Sequence, residues 1–395
     1  MHKNILILTF FITLLINKVD ILYSSEFIQD AFKINDVFLL PSLNTSNADL
    51  IKFNYFNKDL FVINNQYNFI EDSISFILYK SESNELFKEY RLTFPKDGFS
   101  SRMHICDIYV FRNKIFFLEY RNLIEFEKLN DKIIFKKNYR LQNSCSEILS
   151  INSNNVRLTL NYITSDVFKD KEINFIYRID LKNDTHSRLN FNNSENFKLI
   201  NVGPRTNKVF IDDSTSIFSD IINFKFNIET NEGLKIISFS KTNWKSDLDA
   251  IKRIKVNYKK QKNTFSDLVD YNFENSSIYS LFRIDNTILV KYIINHNSDN
   301  EYYYDLIRYN KKDNSLAIIQ QYLKNYDLSS LNDFGVDKLN IGRLIKVRDN
   351  YLLDLVRFPF PNGIVFKNKD EYLDKTKEKV INDGLRYSVI IRELK

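Results

Sequence analysis

Glycine, proline, cysteine and histidine are all scarce in this chain of 395 residues, which contains 7 Gly, 5 Pro, 2 Cys and 4 His. So few glycines leave little material for a phosphate-binding loop, and neither GxGxxG nor GxxxxGKS/T occurs in the sequence. A GxSxG nucleophile elbow is also absent, as are HExxH and any Cys/His cluster with metal-ligand spacing. The sequence therefore predicts no cofactor and no metal site, and it favours a protein that is not an enzyme.

An excess of one charge is missing as well. The 56 basic and 50 acidic residues leave a net charge of +6, and this surplus is spread along the chain. The densest basic segment, Lys252–Lys262, is typical of a solvated loop, with an anionic-surface patch as the alternative. Because no known nucleic-acid-binding motif accompanies it, we expect no nucleic-acid partner.

Long hydrophobic runs are confined to the first residues of the chain. Lys3 precedes the apolar run Ile5–Ile16, whose 12 residues match the central region of a secretory leader. The run is shorter than the ~20 residues of a membrane-spanning helix, so we expect no stable membrane span after the leader is removed. The sequence predicts a signal peptide at 1–25 and export to the periplasm, the cell surface or the extracellular space. An uncleaved leader and a buried first strand or helix are the alternatives.

Aromatic residues, in contrast, are abundant. The 34 Phe and 23 Tyr favour strands over helices and provide apolar surface for a large core. Six segments repeat one pattern, in which a turn containing Asn or Asp joins two apolar strand ends. These six hairpins lie at Phe56–Ile63, Phe111–Leu118, Ile151–Leu158, Arg205–Asp212, Arg283–Val290 and Val347–Asp354.

The hairpin repeat predicts the architecture. Turns spaced by roughly 40–80 residues leave room for four short strands in each unit, as in a propeller blade. We predict an all-β fold, a six-bladed β-propeller that occupies 26–395 as a single domain. A short C-terminal helix is expected at Lys369–Ile381, before a last strand at Tyr387–Leu394. An early strand at Asp30–Leu40 is expected to lie beside that last strand and close the ring.

The order of these features, ending in the strand RYSVIIRELK at Arg386–Lys395, resembles the six-bladed propeller proteins exported by Bacteroidota. Those proteins are related in shape to NHL- and TolB-type propellers. The resemblance extends over nearly the whole mature chain and implies an exported propeller. It implies no catalytic residues.

Three residues stand out as candidate ligand contacts. Arg102 and His104 lie just before a predicted inner strand, which would place them near a mouth of the central channel as contacts for an anionic or sugar ligand. Trp244 is the only Trp and lies in a long insertion, where it is a candidate contact for a ligand or partner. The alternatives are a half-exposed loop histidine and a buried tryptophan.

Other conspicuous residues have structural interpretations. Asp212, Asp213 and Asp354 are interpreted as solvated strand ends, since adjacent residues on a strand point to opposite faces and do not form a catalytic pair. The run Tyr302–Tyr304 is expected to place its first and third rings on one face of a strand and its second on the other. Packing between blades is the expected role of these rings, with a sugar platform as the alternative.

Cys106 and Cys145 each lie just ahead of a repeated hairpin. Their similar places in consecutive units would allow them to face each other, and export permits a disulfide. Two buried thiols are an equal alternative, because sequence spacing does not decide whether two Cα atoms lie within bridging distance.

Taken together, these features favour a secreted, monomeric, non-enzymatic propeller that binds a partner protein or a glycan through one face of the ring. One alternative is a carbohydrate-active propeller enzyme that uses Asp or Glu. Another is a structural protein of the envelope or an exported surface protein.

Overall fold

The structure is a computed structural model. It describes residues 31–40, 50–64, 67–70, 72–81, 87–96, 104–142, 144–160, 176–189, 208–220, 223–247, 275–294, 302–324, 344–358, 365–366 and 386–395, except residues 213 and 349. Residues 99, 249, 250 and 253 are also described. The predicted signal peptide at 1–25 and the predicted helix Lys369–Ile381 lie outside the described residues. In the part that is described, no helix is long and apolar enough to cross a membrane.

Six antiparallel sheets form the blades of a six-bladed β-propeller, which confirms the predicted all-β architecture. The first blade contains β2 (Ile51–Phe56), β3 (Asp59–Asn64), β4 (Asn68–Ile70), β5 (Ser73–Ser81) and β6 (Lys88–Pro95). The second contains β7 (Ile105–Phe111), β8 (Lys114–Glu119), β9 (Asn122–Leu129) and β10 (Lys132–Arg140). The third contains β11 (Cys145–Ile151), β12 (Asn155–Leu160), β13 (Ile176–Asp180) and β14 (Thr185–Leu189).

The remaining blades follow in chain order until the last, which combines both ends of the chain. The fourth contains β15 (Lys208–Phe210), β16 (Ser216–Asp220), β17 (Lys225–Thr230) and β18 (Gly233–Ser238). The fifth contains β19 (Ser277–Ile284), β20 (Thr287–Ile293), β21 (Tyr303–Asn310) and β22 (Ser315–Lys324). The sixth contains β23 (Leu344–Arg348), β24 (Tyr351–Phe358), β25 (Val365–Phe366) and β26 (Arg386–Leu394), together with β1 (Phe32–Leu39).

The pairing of β1 with β26 closes the ring as the sequence predicts. The two strands run antiparallel, with Phe32 opposite Leu394 and Phe38 opposite Val389. Phe38 is fully buried and packs edge-on against Tyr55 of the first blade, with ring centroids 6.0 Å apart. The N-terminal strand thus joins the last blade to the first, and closure removes the sheet edges that an open ring would expose.

Local turn chemistry explains why the repeated hairpins form. Asn57 (φ 51°) and Lys58 (φ 65°) adopt left-handed backbone between β2 and β3, as a two-residue turn between twisted strands requires. In the third hairpin, the Asn152 side-chain oxygen accepts hydrogen bonds from the backbone amides of Asn154 and Asn155, at 2.9 and 2.7 Å. Five of the six predicted hairpins are confirmed at their predicted places.

The fourth predicted hairpin, Arg205–Asp212, is wrong in its strand assignment. Lys208–Phe210 is the first strand of the blade, and its turn follows it, between Asp212 and Thr215, instead of preceding it. Asp212 Oδ1 accepts hydrogen bonds from two backbone amides of this turn, at 2.8 and 2.9 Å. The prediction failed because Asn207 is a typical turn residue and apolar residues follow it. A turn that leads into the second strand of a blade has the same sequence pattern.

Apolar clusters between neighbouring blades form the core. Phe76 of the first blade and Phe117 of the second pack edge-to-face with centroids 4.9 Å apart. Tyr302 and Tyr304 belong to the cluster between the fifth and sixth blades, whereas Tyr303 belongs to the cluster that includes the fourth blade. This arrangement confirms the predicted alternation of the tyrosine run and its role in packing between blades.

The ring has two faces, which are named here by the connections they carry. The turn face carries the turns between the first and second strands of each blade, such as Asp285-Asn286. The loop face carries the connections between blades, including His104 just before β7. First strands of neighbouring blades contact each other around the ring axis, and each runs from the loop face to the turn face.

Candidate functional site

A cavity of about 400 Å³ lies at the ring axis, near the turn face. Its walls come from the first strands of five blades, β7, β11, β15, β19 and β23, which bring together side chains from distant parts of the sequence. Its charged residues are Glu147, Lys208, Arg283 and Arg348, and its aromatic residues are Tyr109, Phe210 and Phe282.

Arg348, at the end of β23, reaches across the axis to the second and third blades. Its Nη2 pairs with the carboxylate of Asp107, and its Nη1 donates a hydrogen bond of 2.8 Å to the Ile148 carbonyl. The guanidinium lies 4.9 Å from the centre of the Tyr109 ring. Burial opposes the charge, but the carboxylates of Asp107 and Glu147 outweigh it and raise the pKa of Arg348. Arg348 therefore links three blades through a buried cation.

Lys208 contributes a second cation, from β15 of the fourth blade. Its Nζ donates a hydrogen bond of 2.8 Å to Glu229 Oε2, and it lies 5.6 and 5.2 Å from the ring centres of Phe210 and Phe218. Burial lowers the pKa of Lys208 to about 8, although Glu229 acts in the opposite direction. The positive charge of Lys208 therefore begins to be lost when the pH rises slightly above neutral.

Arg283 contributes a third cation, from β19 of the fifth blade. Its Nη1 donates to the carbonyls of Phe210 and Ile211 in the fourth blade, at 2.9 and 2.6 Å. Its Nε donates to the carbonyl of Asp285 at 2.8 Å. These three bonds fix the guanidinium at the cavity wall with neutral oxygens as partners.

A groove of about 840 Å³ adjoins the cavity on the turn face. It lies between the turns of the fifth and sixth blades, and Asn350 lines both the groove and the cavity. Asn350 Oδ1 accepts a hydrogen bond of 3.0 Å from the Asp285 amide and so joins the two turns. The charged residues that line the groove are Arg308, Lys311, Lys312, Asp285 and Glu393.

The sequence-predicted contacts do not line this cavity. His104 lies at the loop-face end of β7, where its ring stacks on Tyr120 with centroids 5.8 Å apart. Trp244 follows β18 in a different part of the ring and is half-buried, 5.3 Å from the Phe224 ring. Arg102 lies outside the described residues. The structure does not bring His104 and Trp244 together, and the binding role of all three stays a prediction.

Trp244 lies beside a buried cation with a structural role. Lys241, whose side chain is fully buried, pairs with Asp305 at 2.5 Å and lies 4.0 Å from the Tyr322 ring centre. Burial lowers the pKa of Lys241 and raises the pKa of Asp305, against the mutual attraction of the two charges. This pair anchors the segment after the fourth blade to the fifth blade.

Cys106 and Cys145 lie in the same apolar cluster, between the second and third blades. The structure contains them as thiols, with Cys145 buried and Cys106 half-buried. Burial raises the pKa of Cys106 to about 12 and raises the pKa of Cys145 as well. The two cysteines therefore share one cluster, and a disulfide between them stays a prediction.

The carboxylates singled out in the sequence do not form a catalytic pair in the described residues. Asp212 holds the β15–β16 turn and pairs with Lys311 at 3.0 Å. The structure does not describe Asp213 or the side chain of Asp354. Among the described residues that line the axial cavity, Glu147 is the one carboxylate. In the same described part, no group of three or more His, Cys, Asp or Glu side chains could hold a metal ion.

The sequence predictions do not include Lys208, Arg283 or Arg348. A signal for two of them is present. The first, second and sixth hairpins carry a basic residue in or next to the turn, at Lys58, Arg112 and Arg348, and Arg283 lies two residues before the turn of the fifth. No sequence feature indicates which of these basic residues turns toward the axis, since that depends on the blade geometry.

No protein-family model matches this sequence, and no curated protein matches it. Among solved structures, the fold is similar to a Bacteroides fragilis protein named as a candidate exported protein, with a TM-score of 0.52 and 12% identity over 94% of this chain and 98% of the other. The extracellular domain of a candidate one-component system from B. thetaiotaomicron is 8% identical over 73% of this chain and 30% of its own, with a TM-score of 0.37. At 12% identity the likeness to the B. fragilis protein shows the fold alone: this chain is a six-bladed β-propeller.

Proposed function

We propose that this chain is an exported, non-enzymatic propeller that binds a glycan or a segment of a partner protein through the turn face of its ring. The axial cavity carries this proposal. Its volume of about 400 Å³ falls within the range of small-ligand sites, and its lining combines apolar walls with a few convergent polar groups.

Rigidity of the walls supports a binding role. The charged side chains belong to strands, and hydrogen bonds between blades hold them: Arg283 bonds the fourth blade, and Arg348 bonds the second and third. A site that is held in place before the ligand arrives loses less conformational entropy on binding. The adjoining groove extends the same surface across two blades, which suits a ligand longer than the cavity.

Export rests on the leader predicted at 1–25 and on the description of the structural neighbours. The mature chain at 26–395 would act as a monomer in the periplasm, at the cell surface or outside the cell. The binding role predicted for Arg102, His104 and Trp244 is separate from this turn-face proposal.

Hydrogen exchange during a glycan and peptide screen tests the proposed face. For any ligand that binds the purified mature chain, we expect protection in the peptides that contain the ends of β15, β19 and β23. Protection confined to the outer strands β10, β14, β18 and β22 would contradict the proposal. The variant His104→Ala is the matched test of the loop face, and it should leave affinity unchanged if the turn face alone binds.

A further inference from the structure

Among the described residues, no carboxylate pairs with the positive charge of Arg283. All three of its hydrogen bonds go to backbone carbonyls, those of Phe210, Ile211 and Asp285. Within the residues that the structure describes, Arg283 makes no ion pair. A guanidinium whose hydrogen-bond partners are neutral oxygens attracts an anion in the cavity that it lines.

Arg348 supplies a second observation that points to a ligand. The residue is 4% exposed and lines the same cavity, yet its buried Nε has no hydrogen-bond partner among the described residues. Buried donors in native proteins nearly always have an acceptor, so this one calls for an explanation. Because this Nε has almost no accessible surface, a ligand oxygen reaches it only when the Arg348 side chain shifts toward the cavity that it lines.

The remaining polar groups of the cavity indicate which other chemical groups an anionic ligand would carry. Lys208, on the first strand of the fourth blade, adds a third cation. Glu147, on the first strand of the third blade, has its Oε1 3.9 Å from Arg348 Nη1. A carboxylate side chain has several acceptor positions, so Glu147 can also accept a hydrogen bond from a ligand that carries donors such as hydroxyl groups. The cavity thus suits a compact group that carries both a carboxylate and hydroxyls.

We propose that the ligand of the axial cavity is an acidic sugar, a hexuronate unit whose carboxylate binds Arg283 and Arg348 and whose hydroxyls bind Glu147. This inference rests on the proposed function and names its ligand class. Five strands surround the cavity, so a single sugar ring fits the space better than an extended peptide backbone does. The groove beyond Asn350, with Arg308, Lys311 and Lys312, provides cations for further acidic units of a chain.

Calorimetry with matched sugars tests the proposal on the mature chain. The probes are trigalacturonic acid and the neutral α-1,4-linked galactotriose, which differs by having no carboxylates. We expect the acidic trisaccharide to bind at least about tenfold more tightly than the neutral one, and to lose affinity as salt is added. Arg283→Gln should weaken binding of the acid roughly tenfold or more, and Arg283→Lys should restore part of it. The control Arg178→Gln, an exposed arginine on β13, should have no effect.

Each contrary outcome identifies what is wrong. Equal affinity for the two sugars, or full affinity in Arg283→Gln, would overturn the acidic-sugar inference while the turn-face proposal stands. Tighter binding of a triglutamate peptide would assign the cavity to a protein segment instead. Absence of any ligand that protects the turn face would remove the proposed function itself. If Arg283→Gln does not fold, as judged by circular dichroism, then Arg283→Lys and the sugar comparison on the unmodified chain decide the question.

Discussion

Replacement of Arg348 by methionine tests whether a buried cation at the axis holds the ring together. Methionine keeps the length and apolar volume of the stem but removes the guanidinium. The Arg348 and Asp107 side chains are 4% and 2% exposed, so the variant leaves a buried carboxylate without its ionic partner. We therefore expect the propeller to lose a large fraction of its stability while its core packing is unchanged.

The size of the loss follows from the contacts. Removal of one partner of a buried ion pair costs about 3–5 kcal/mol. Asp107 keeps two backbone donors, the Ile108 amide at 2.8 Å and the Ile148 amide at 2.9 Å, which places the expected loss near the lower end of this range, at about 3 kcal/mol. The hydrogen bond from Arg348 to the Ile148 carbonyl adds about 1 kcal/mol.

Urea unfolding, followed by circular dichroism, measures the change. The total loss of about 4 kcal/mol should lower the urea midpoint by roughly 1 M, because the denaturant slope of a chain of this length exceeds the ~1–3 kcal/mol/M of small proteins. The matched control is Lys33→Met, which breaks the Lys33–Glu393 pair at 3.2 Å; those side chains are 59% and 44% exposed. Such a surface pair is worth about 0–1 kcal/mol. Equal midpoints for the two variants would refute the assigned role of Arg348. In the double variant Asp107→Asn/Arg348→Met, the loss should be smaller than the sum of the two single losses.

Three further changes test other parts of the structure. Lys208→Met should stabilise the protein by about 1–3 kcal/mol near pH 7, because a lysine pKa lowered to about 8 means that burial disfavours its charge. The difference from the unmodified protein should shrink above pH 8, since Lys208 then loses its proton in the folded state while the unfolded chain still binds one; a constant difference would contradict this. Phe38→Ala should cost about 3–5 kcal/mol in urea unfolding, whereas Phe69→Ala, at a ring 41% exposed, should change stability by less than about 0.5 kcal/mol. Alkylation of the native protein at neutral pH should be slow at Cys106 and Cys145, since burial raises both thiol pKa values. After unfolding without reductant, two thiols should react, whereas a disulfide would leave no thiol to react.

Strands and hairpins could be predicted from the sequence because their causes are local. Asn57-Lys58 and Asn152 supply turn chemistry that depends on a few neighbouring residues, and both hairpins lie where the sequence predicts them. The fourth hairpin shows the limit of this reasoning. Asn207 has the same chemistry, but the strand that follows it is the first of its blade, and only pairing with β16 distinguishes the two assignments.

The candidate site could not be predicted in the same way. His104 and Trp244 stand out as rare residue types, yet they lie away from the axial cavity. Lys208, Arg283 and Arg348 are ordinary basic residues in a chain with 56 of them. What distinguishes them is burial and convergence at the axis, and both depend on how complete blades pack.

The sequence by itself determined the strand content, five of the six hairpins and the two chain ends that close the ring, because aromatic composition and turn residues act over short distances. The tertiary structure alone decided the chemistry at the axis. There, five first strands from separate blades bring three cations and one carboxylate to a single cavity. Burial lowers the pKa of Lys208, and nearby carboxylates raise the pKa of Arg348. Such convergence depends on long-range packing, which no local pattern of residues specifies.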